Sequence, residues 1–371
     1  MRKKCLILAL AAALPTAALA QSQVTLYGDM ELAILASKTF ANGGNDMKTV
    51  SRVDDTGSLI GVKGSEALGN GLSAIWQVES YISADGTNIN GGSNSNKLGS
   101  RDTFVGLQGG WGKVRLGRLS SYLNSDMETL DTWQYAWTTG TNGLGILIRY
   151  DGRHNSSIRY DSPVLAGFDF SLLYSADETR NNGDNQFTWG VGLGYTASHC
   201  FVKAGFVQFQ EQNDNGDKDG YFWRVEGGYQ DTLSLIFAYQ QSKQYGEAAT
   251  GGTDNIWMRP TADASGYLGA SGIAFGNNDK LKTQEAAMTV SYQWDNFIPR
   301  ISFVWGDDAK LNGNKLSDSG YQQYIAGVDY QFSKRTMLYT SYGLIHYDSS
   351  KFTDGQHDKE YSLAVGMLHL F

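Results

Sequence analysis

The residues that could carry out covalent chemistry are few, and their spacing does not suit it. His154, Asn155 and Ser156 stand together and offer a base, an amide and a hydroxyl, the groups from which a lipid hydrolase could be built. Consecutive residues of a strand point to opposite faces, so these three cannot form a catalytic triad by themselves. The chain has no Gly-x-Ser-x-Gly elbow and no histidine pair at metal-ligand spacing. The sequence therefore predicts that the protein is not an enzyme and uses neither a metal nor a cofactor.

One acidic stretch has a faint likeness to a calcium-binding loop. Residues 214–220 read DNGDKDG, which places several oxygen ligands close together. The stretch lacks the glutamate that completes the calcium-binding pattern, and Lys218 stands among the ligands. An exposed acidic loop is therefore the favoured interpretation.

The composition of the chain excludes several classes of protein. Glycine accounts for 45 of 371 residues and proline for only 4, which excludes a proline- and glycine-rich low-complexity chain. Aromatic residues make up 12%, too many for a disordered chain. The formal charge of −8 argues against nucleic acid binding. Beyond the N-terminus no apolar run reaches the roughly 18 residues that a membrane-spanning helix needs.

The first twenty residues are predicted to direct secretion. Residues 1–20, MRKKCLILALAAALPTAALA, combine a basic start, a short apolar core and an Ala-x-Ala cleavage site, as signal peptides do. The alternative is a buried N-terminal helix. Cleavage would leave residues 21–371 with a formal charge of −11 and Cys200 as the single thiol. An intramolecular disulfide is then impossible, and no function is assigned to Cys200.

A period of two runs through the mature chain, as expected of β-strands. Apolar side chains alternate with small or polar ones in the segments that begin at residues 24, 72, 189, 221, 233 and 324. A soluble β-sandwich could also alternate in this way. Tryptophan and tyrosine concentrate at the strand ends, which favours a lipid-facing barrel with aromatic girdles around a polar lumen.

The connections between these segments alternate in length. Short ones fall at 66–70, 109–112, 162–166, 197–200, 230–232, 295–297 and 333–334, and long ones at about 38–49, 84–100, 120–148, 177–186, 211–219, 244–281, 308–319 and 348–358. Short periplasmic turns opposite long extracellular loops are typical of outer-membrane barrels. The sequence therefore predicts an all-β fold, a 16-stranded antiparallel transmembrane β-barrel, formed by residues 21–371.

Several motifs in order resemble one family, the trimeric general porins of Gram-negative outer membranes, in their beta-proteobacterial branch. The resemblance covers residues 21–371. The motifs are QVTLYG at 23–28, GSLIGVKG at 57–64, LGNGL at 68–72, AIWQVE at 74–79, GWGKVRLGR at 110–118 and DYQFSKRT at 329–336.

This resemblance implies a pore constriction made by the third long loop, about 120–148, folded into the lumen. Asp126, Glu128 and Asp131 would form its acidic side. The alternative is an ordinary solvated acidic loop. Trp133, Tyr135 and Trp137 lie in the same loop, where they could guide sugars or pack the loop against the wall.

The resemblance also implies a basic wall opposite the loop. Arg118 matches an arginine just before the loop, and Arg153 one before the sixth strand, while Arg101 and Lys63 are further candidates. The odd-number parity that Arg153 shares with Arg159 and Asp161 is expected to place it on the lumen face. Acids facing bases across a pore produce a transverse field that weights ions by sign. Each arginine could instead pair with a lumen carboxylate and hold the wall in place.

One position departs from the family pattern. Leu59 stands where the family usually has a wall arginine, which removes a positive charge or transfers its role to Arg52. This departure predicts a lumen that favours anions less than its relatives do, with weak selectivity of either sign.

The predicted function is a water-filled porin in the Gram-negative outer membrane, for passive diffusion of ions and small hydrophilic solutes. Two alternatives stay open: a substrate-selective channel, for example for sugars, and a barrel that acts mainly as a surface adhesin. The resemblance implies a homotrimer in which loop 84–100 reaches over the neighbouring subunit. Expected partners are outer-membrane lipids, lipopolysaccharide and the barrel-insertion machinery, for which Phe371 at the end of the last strand resembles the insertion signal.

Overall fold

The fold is known from a computed structural model, in which strands account for most of the described chain. The structure describes residues 23–41, 49–86, 98–127, 133, 138–139, 142–143, 146–147, 149–176, 186–210, 218–245, 256–258, 278–349 and 357–371. Within these residues no helix is long and apolar enough to cross a membrane.

Sixteen antiparallel strands form one sheet. They are β1 (Gln23–Ala41), β2 in two parts (Val50–Asp55 and Leu59–Gly69), β3 (Leu72–Tyr81), β4 (Thr103–Gly109), β5 (Gly112–Ser120), β6 (Arg153–Asp161), β7 (Phe168–Ser175), β8 (Thr188–Ala197), β9 (Cys200–Phe209), β10 (Gly220–Gln230), β11 (Leu233–Tyr245), β12 (Lys280–Tyr292), β13 (Phe297–Gly306), β14 (Tyr321–Gln331), β15 (Thr336–Tyr347) and β16 (His357–Leu370).

The sheet closes on itself into a barrel. β1 pairs with β16 over a register that runs from Asp29 opposite Leu370 to Ala41 opposite His357. Gly28 and Phe371 extend this seam through two backbone hydrogen bonds of 3.3 and 3.0 Å. Closure pairs every strand on both sides, which a sheet in lipid requires because no water is present to satisfy an open edge. The predicted sixteen-stranded fold is confirmed.

The period of two separates an inner from an outer face. On β1, Glu31, Ala33 and Leu35 are almost fully buried in the interior, whereas Leu26 and Ile34 are 59% and 64% exposed on the outside. The same alternation continues around the ring: buried positions on β11 and β12 are every second residue. The outer face is thus an apolar surface suited to lipid, and the inner face carries most of the charges.

Strand β2 is interrupted at residues 56–58. The carboxylate of Asp55 accepts hydrogen bonds from the backbone N–H groups of Gly57 and Ser58, at 2.9 and 2.8 Å. These bonds hold a bend that separates the two parts of β2. Arg52 lies in the first part, opposite Leu35 on the inward parity, and its Nε donates to Asp54 at 2.8 Å. Leu59 begins the second part, where its backbone N–H donates to Asp29.

Connections at one end of the barrel are short. The turn between β2 and β3 contains Asn70 at φ 51° and Gly71 at φ 77°, left-handed conformations that asparagine and glycine adopt readily. Connections at the other end are long and contain the only described helix, the single turn α1 (Tyr122–Ser125). Ser121 caps α1 by accepting a hydrogen bond from the backbone N–H of Asn124.

Candidate functional site: the lumen and its inner loop

The residues directly after β5 lie inside the barrel. α1 follows β5 directly and lies against β8 and β9. A Cβ at Gly192 would overlap the ring of Tyr122, and one at Gly205 would stand 2.7 Å from the side chain of Leu123. The Tyr122 hydroxyl also donates to Asp169 at 2.8 Å, and burial followed by this carboxylate raises the pKa of the tyrosine. Glycines on the inner wall therefore make the room that α1 occupies.

Trp133 attaches the same loop to a more distant part of the wall. Its indole Nε1 donates to the Ser302 hydroxyl of β13 at 2.8 Å, and its ring has no exposed surface. The Arg300 guanidinium lies 4.6 Å from the centre of that ring. A Cβ on Gly327 of β14 would stand 2.8 Å from the indole. Tyr122 therefore contacts the inner wall at β8, and Trp133 contacts it at β13 and β14. For Trp133, this geometry favours packing against the wall over guidance of a sugar.

Cations of the far wall, which is the part of the barrel formed by β8 to β13, contact the backbone of the loop. The Lys203 ammonium of β9 donates to the Asp126 carbonyl, and the Arg224 guanidinium of β10 donates to the Met127 carbonyl at 3.0 Å. Arg224 also donates to Gln240 at 2.9 Å. The bonds to Asp126 and Met127 supply hydrogen-bond donors to backbone carbonyls that lie away from the barrel ladder. These two side chains therefore fix the position of the loop.

Arg159 joins the loop to the near wall, which is the part of the barrel formed by β2 to β6. Its guanidinium, which is 1% exposed, donates to the Ser120 carbonyl and the Ser125 hydroxyl, both at 2.8 Å. It also pairs with Asp126 at 2.6 Å and with Asp161 at 2.7 Å. A guanidinium offers five donors in a fixed fork, which suits contacts with two carboxylates at once. Asp126 is therefore an ion-paired residue at the root of the loop.

A ladder of alternating charges lines the inner face of β2 to β6. The Arg101 guanidinium pairs with Glu79, which also accepts from the Tyr27 hydroxyl at 2.7 Å. Arg115 pairs with Asp161 at 2.7 Å and approaches Asp102 to 3.9 Å. The Lys63 ammonium lies 4.7 Å from the centre of the Tyr27 ring. Cations and acids on this wall are therefore interleaved.

Asp102 is the carboxylate that connects two of these arginines. It precedes β4, accepts from Arg153 Nε at 2.9 Å and from the Ser120 hydroxyl at 2.6 Å, and lies near Arg115. Burial acts to raise the pKa of this carboxyl, but the Arg153 charge, the Ser120 hydrogen bonds and the Arg115 charge outweigh it, so its pKa lies below the usual range. Asp102 is therefore ionised at neutral pH.

The predicted residues fall in different places. Asp126, Lys63, Arg101 and Arg153 lie on the lumen side. A bulge between His154 and Ser157 changes the register, so Arg153 does not share the parity of Arg159 and Asp161. The Arg153 guanidinium nevertheless reaches Asp102 on the lumen side. Ser156, at φ 46°, lies inside that bulge.

Arg118 differs from the other predicted cations. It lies on the parity of Val114 and Leu116, and Leu116 is 51% exposed on the outer face. Its guanidinium donates to the exposed Asn155 amide oxygen at 2.5 Å and to the Ser100 carbonyl at 3.2 Å. The inward arginine of β5 is Arg115, which sequence reasoning missed. The alternation of Lys113 and Arg115 with Val114 and Leu116 is the signal that could have found it.

The remaining predicted residues are Glu128, Asp131, Tyr135 and Trp137, which lie outside the described residues, as do positions 214–217 of the calcium-like stretch. Cys200 is an exposed free thiol at the first position of β9. Among the residues that the structure describes, no group of histidine, cysteine or acidic side chains could hold a metal ion.

On the short-turn side of α1 the lumen opens into a cavity of about 490 Å³ with mixed charge. Lys113, Asp126, Asp161, Asp169 and Lys203 contribute to its lining. Carboxylates and ammonium groups thus lie close together beside the loop, an arrangement that suits hydrated ions of both signs.

A closed sixteen-stranded barrel with a charged lumen defines a channel of the outer membrane. A family model described as Gram-negative porin matches residues 7–350. The chain is 35% identical to the major outer membrane protein P.IB of Neisseria gonorrhoeae, over 92% of this chain and 93% of that protein. It is 33% identical to the protein of the same description from Neisseria sicca, with both chains covered completely. The chain belongs to the Gram-negative porin family and is an outer-membrane protein.

Solved structures agree with this fold. An anion-selective porin from Comamonas acidovorans superposes with a TM-score of 0.68 and 20% identity, over 95% of this chain and 100% of that one. At this identity the likeness shows the fold alone.

Proposed function

We propose that this porin is a passive diffusion channel for ions and small hydrophilic solutes, narrowed by the loop after β5. The observation that carries the proposal is a pair of contacts with the inner wall, of Tyr122 at β8 and of Trp133 at β13. Facing the loop is the charge ladder of β2 to β6, with Arg101, Arg115 and Arg153 as its arginines. Interleaved charges of both signs support weak selectivity.

The acidic side of this constriction is proposed to be Asp126, Glu128 and Asp131. The test is the reversal potential of single channels in a planar bilayer under a salt gradient. Replacement of these three residues by Asn, Gln and Asn is expected to raise the anion-to-cation permeability ratio roughly twofold or more. The reason is that carboxylates beside a narrow path repel permeating anions over about a Debye length.

A matched control has the same change in net charge at the short-turn end. Glu66, Asp231 and Asp295 are exposed there, and their replacement by amides is expected to leave the permeability ratio unchanged. An equal shift in both variants would assign the effect to net charge, and no shift in the first would show that its acids do not line the path.

The assembly is proposed to be a homotrimer, on the strength of the motif resemblance and of membership in the porin family. Conductance steps in groups of three and a trimeric mass in detergent are the expected results. Removal of residues 1–20 before insertion is proposed from their pattern, and mass spectrometry of the purified protein should find Gln21 as the first residue.

A further inference from the structure

The interruption of β2 coincides with the start of the GSLIGVKG motif at residue 57. Gly57 has a φ of 150°, a backbone conformation that other residues rarely adopt. Asp55 precedes it, is only 7% exposed, and accepts hydrogen bonds from the backbone N–H groups of Gly57 and Ser58 through its oxygen Oδ1. The bend is therefore a turn of defined geometry, held by one carboxylate oxygen.

The barrel holds the bend from two sides. The Ser58 hydroxyl accepts a hydrogen bond from the Glu31 backbone N–H at 2.9 Å and donates one to the Glu31 carbonyl at 3.2 Å. It thus takes the place of a backbone partner for β1. The Thr56 hydroxyl lies 2.9 Å from the Tyr339 hydroxyl of β15. The position of the bend is therefore fixed by β1 and β15.

The start of loop 84–100 is held by the same carboxylate. The second oxygen of Asp55, Oδ2, accepts from the backbone N–H of Ala84 at 2.6 Å. Beside this bond, the Ile82 N–H donates to the Ser58 carbonyl at 2.9 Å. In the part of the chain that the structure describes, no cation lies within ion-pair distance of Asp55. Three backbone N–H groups therefore stabilise this buried charge, and one of them belongs to the loop.

The end of the same loop is held by neutral groups. The Gly99 N–H donates to the Ser80 hydroxyl at 2.7 Å, and the Tyr81 N–H donates to the Ser100 hydroxyl at 3.0 Å. Next to these bonds, Leu98 is 85% exposed, more than any other large apolar side chain among the described residues. Leu98 therefore offers apolar surface on the loop that the motif resemblance places over the neighbouring subunit.

We propose that Asp55 is a positioning residue for the contact between subunits. Its Oδ2 holds the start of loop 84–100 in the direction from which Leu98, at the end of the loop, packs against a second copy of this chain. The proposal rests on the proposed homotrimer. Because Oδ1 holds the bend and Oδ2 holds the loop, a single substitution can separate the two tasks.

The variant D55N tests this division. Its amide oxygen can still accept from Gly57 and Ser58, but its NH2 group would face the N–H of Ala84, which places two donors in opposition. Trimers of D55N in detergent are expected to dissociate about tenfold faster than native trimers, because a hydrogen bond to a charged group contributes about that factor or more. Proteases should also cleave D55N faster within 84–100. The heat stability of the barrel strands, followed by circular dichroism, should be unchanged because the bend is retained.

The matched control is D29N. Asp29 also accepts from a backbone N–H of β2, that of Leu59 at 3.1 Å, but this bond lies on the barrel side of the bend. D29N has the same change in net charge and is expected to leave trimer dissociation and cleavage of the loop unchanged. Equal acceleration in D29N and D55N would overturn the proposal. A less heat-stable barrel in D55N would also overturn it, since Asp55 would then act on the barrel itself.

A double-mutant cycle tests whether Asp55 acts through the loop. L98S is expected to accelerate trimer dissociation, because it removes apolar surface from the contact. If Asp55 positions the loop that carries Leu98, the acceleration in D55N/L98S should be smaller than the product of the two single effects. The control D29N/L98S should behave as L98S does. Effects of D55N and L98S that multiply, or no effect of L98S, would overturn the proposal.

The oligomeric state of the native protein separates this proposal from the one on which it rests. A native protein that purifies as a monomer would contradict the proposed homotrimer. Cleavage within 84–100 can still be measured in that monomer. Faster cleavage of D55N would then support the bond between Asp55 and the loop but overturn the subunit contact, and unchanged cleavage would overturn both.

Discussion

The two sides of the lumen use their cations differently. On β2 to β6, Arg101, Arg115 and Arg153 pair with acids of the wall itself, namely Glu79, Asp161 and Asp102, whereas Arg159 pairs both with Asp161 of the wall and with Asp126 of the loop. On β9, β10 and β13, Lys203, Arg224 and Arg300 contact the loop, through two backbone carbonyls and the Trp133 ring, and Arg300 also pairs with Asp329 of β14. An inward arginine is therefore not by itself a selectivity residue. Its role depends on whether the loop lies in front of it.

The two sides also differ in the size of their inward residues. The far wall has Gly192 on β8 and Gly205 on β9 where the near wall has Arg115 and Arg159. Small residues allow α1 to lie close to the wall, and long ones fill the space on the opposite side. The position of the open path is thus set by side-chain volume as well as by charge.

The largest effect is expected from loss of the Trp133 attachment. W133A removes a fully buried ring and its hydrogen bond to Ser302. The free energy that holds the loop against the wall should fall by about 3 kcal/mol. The loop should then fluctuate, which would appear as increased open-channel noise and as new protease cleavage within 120–148. W294A is the control, because Trp294 is 66% exposed at a short turn. Quiet channels in W133A would show that the α1 contacts alone hold the loop.

A smaller effect is expected from filling the space below α1. In G192A the new methyl group overlaps the Tyr122 ring, so α1 must shift away from β8 into the lumen. Single-channel conductance should fall by roughly a third or less. G110A is the control, since a Cβ at Gly110 meets no atom within 4 Å. Equal conductance in both variants would mean that Tyr122 rotates aside without moving the loop.

The smallest effect is expected from the near wall, through D102N. Neutralising Asp102 leaves Arg153 and Arg115 with less compensation, so the reversal potential should move a few millivolts toward anions. The depressed pKa of Asp102 means that its charge and its stabilising ion pairs are present above the ordinary carboxyl value of about 4. The charge of Asp102 and its ion pairs are lost only as the pH falls through the pKa of this residue in the folded protein, which lies below that ordinary value.

Titration separates this effect from those of other carboxylates. The difference in reversal potential between the native protein and D102N should persist from pH 7 to about pH 4 and disappear below it. A difference that vanishes near pH 6 would contradict the depressed pKa of Asp102.

The barrel could be predicted from the sequence because its cause is local. Alternation in segments such as 72–78 and 233–240 indicates which face of each strand meets lipid, and the lengths of the loops indicate the up-and-down order of the strands. Six of the seven short connections predicted from the sequence match turns between consecutive strands, and the one predicted at 66–70 lies instead at Asn70 and Gly71, because β2 continues to Gly69. Family membership was likewise predicted from short motifs and is confirmed.

The details of the lumen could be predicted less well, because they depend on distant contacts. The bulge at Ser156 changes the register of β6, and nothing in the alternation of His154 to Asp161 indicates it. Arg224 and Lys203 are ordinary strand residues until the loop, about 80 to 100 positions earlier in the chain, is placed beside them. The predicted acids Glu128 and Asp131 stay predictions.

The seam between β1 and β16 has a consequence for the order of assembly. The two strands that close the ring are separated by more than 300 residues of chain, from Asp29 to Leu370. All other neighbours in the barrel are consecutive hairpins that can form as soon as both strands exist. Closure must therefore be the last topological step, and until it occurs β1 and β16 each expose an unpaired edge that lipid does not tolerate. An external surface that shelters both edges until they meet would remove this barrier to insertion.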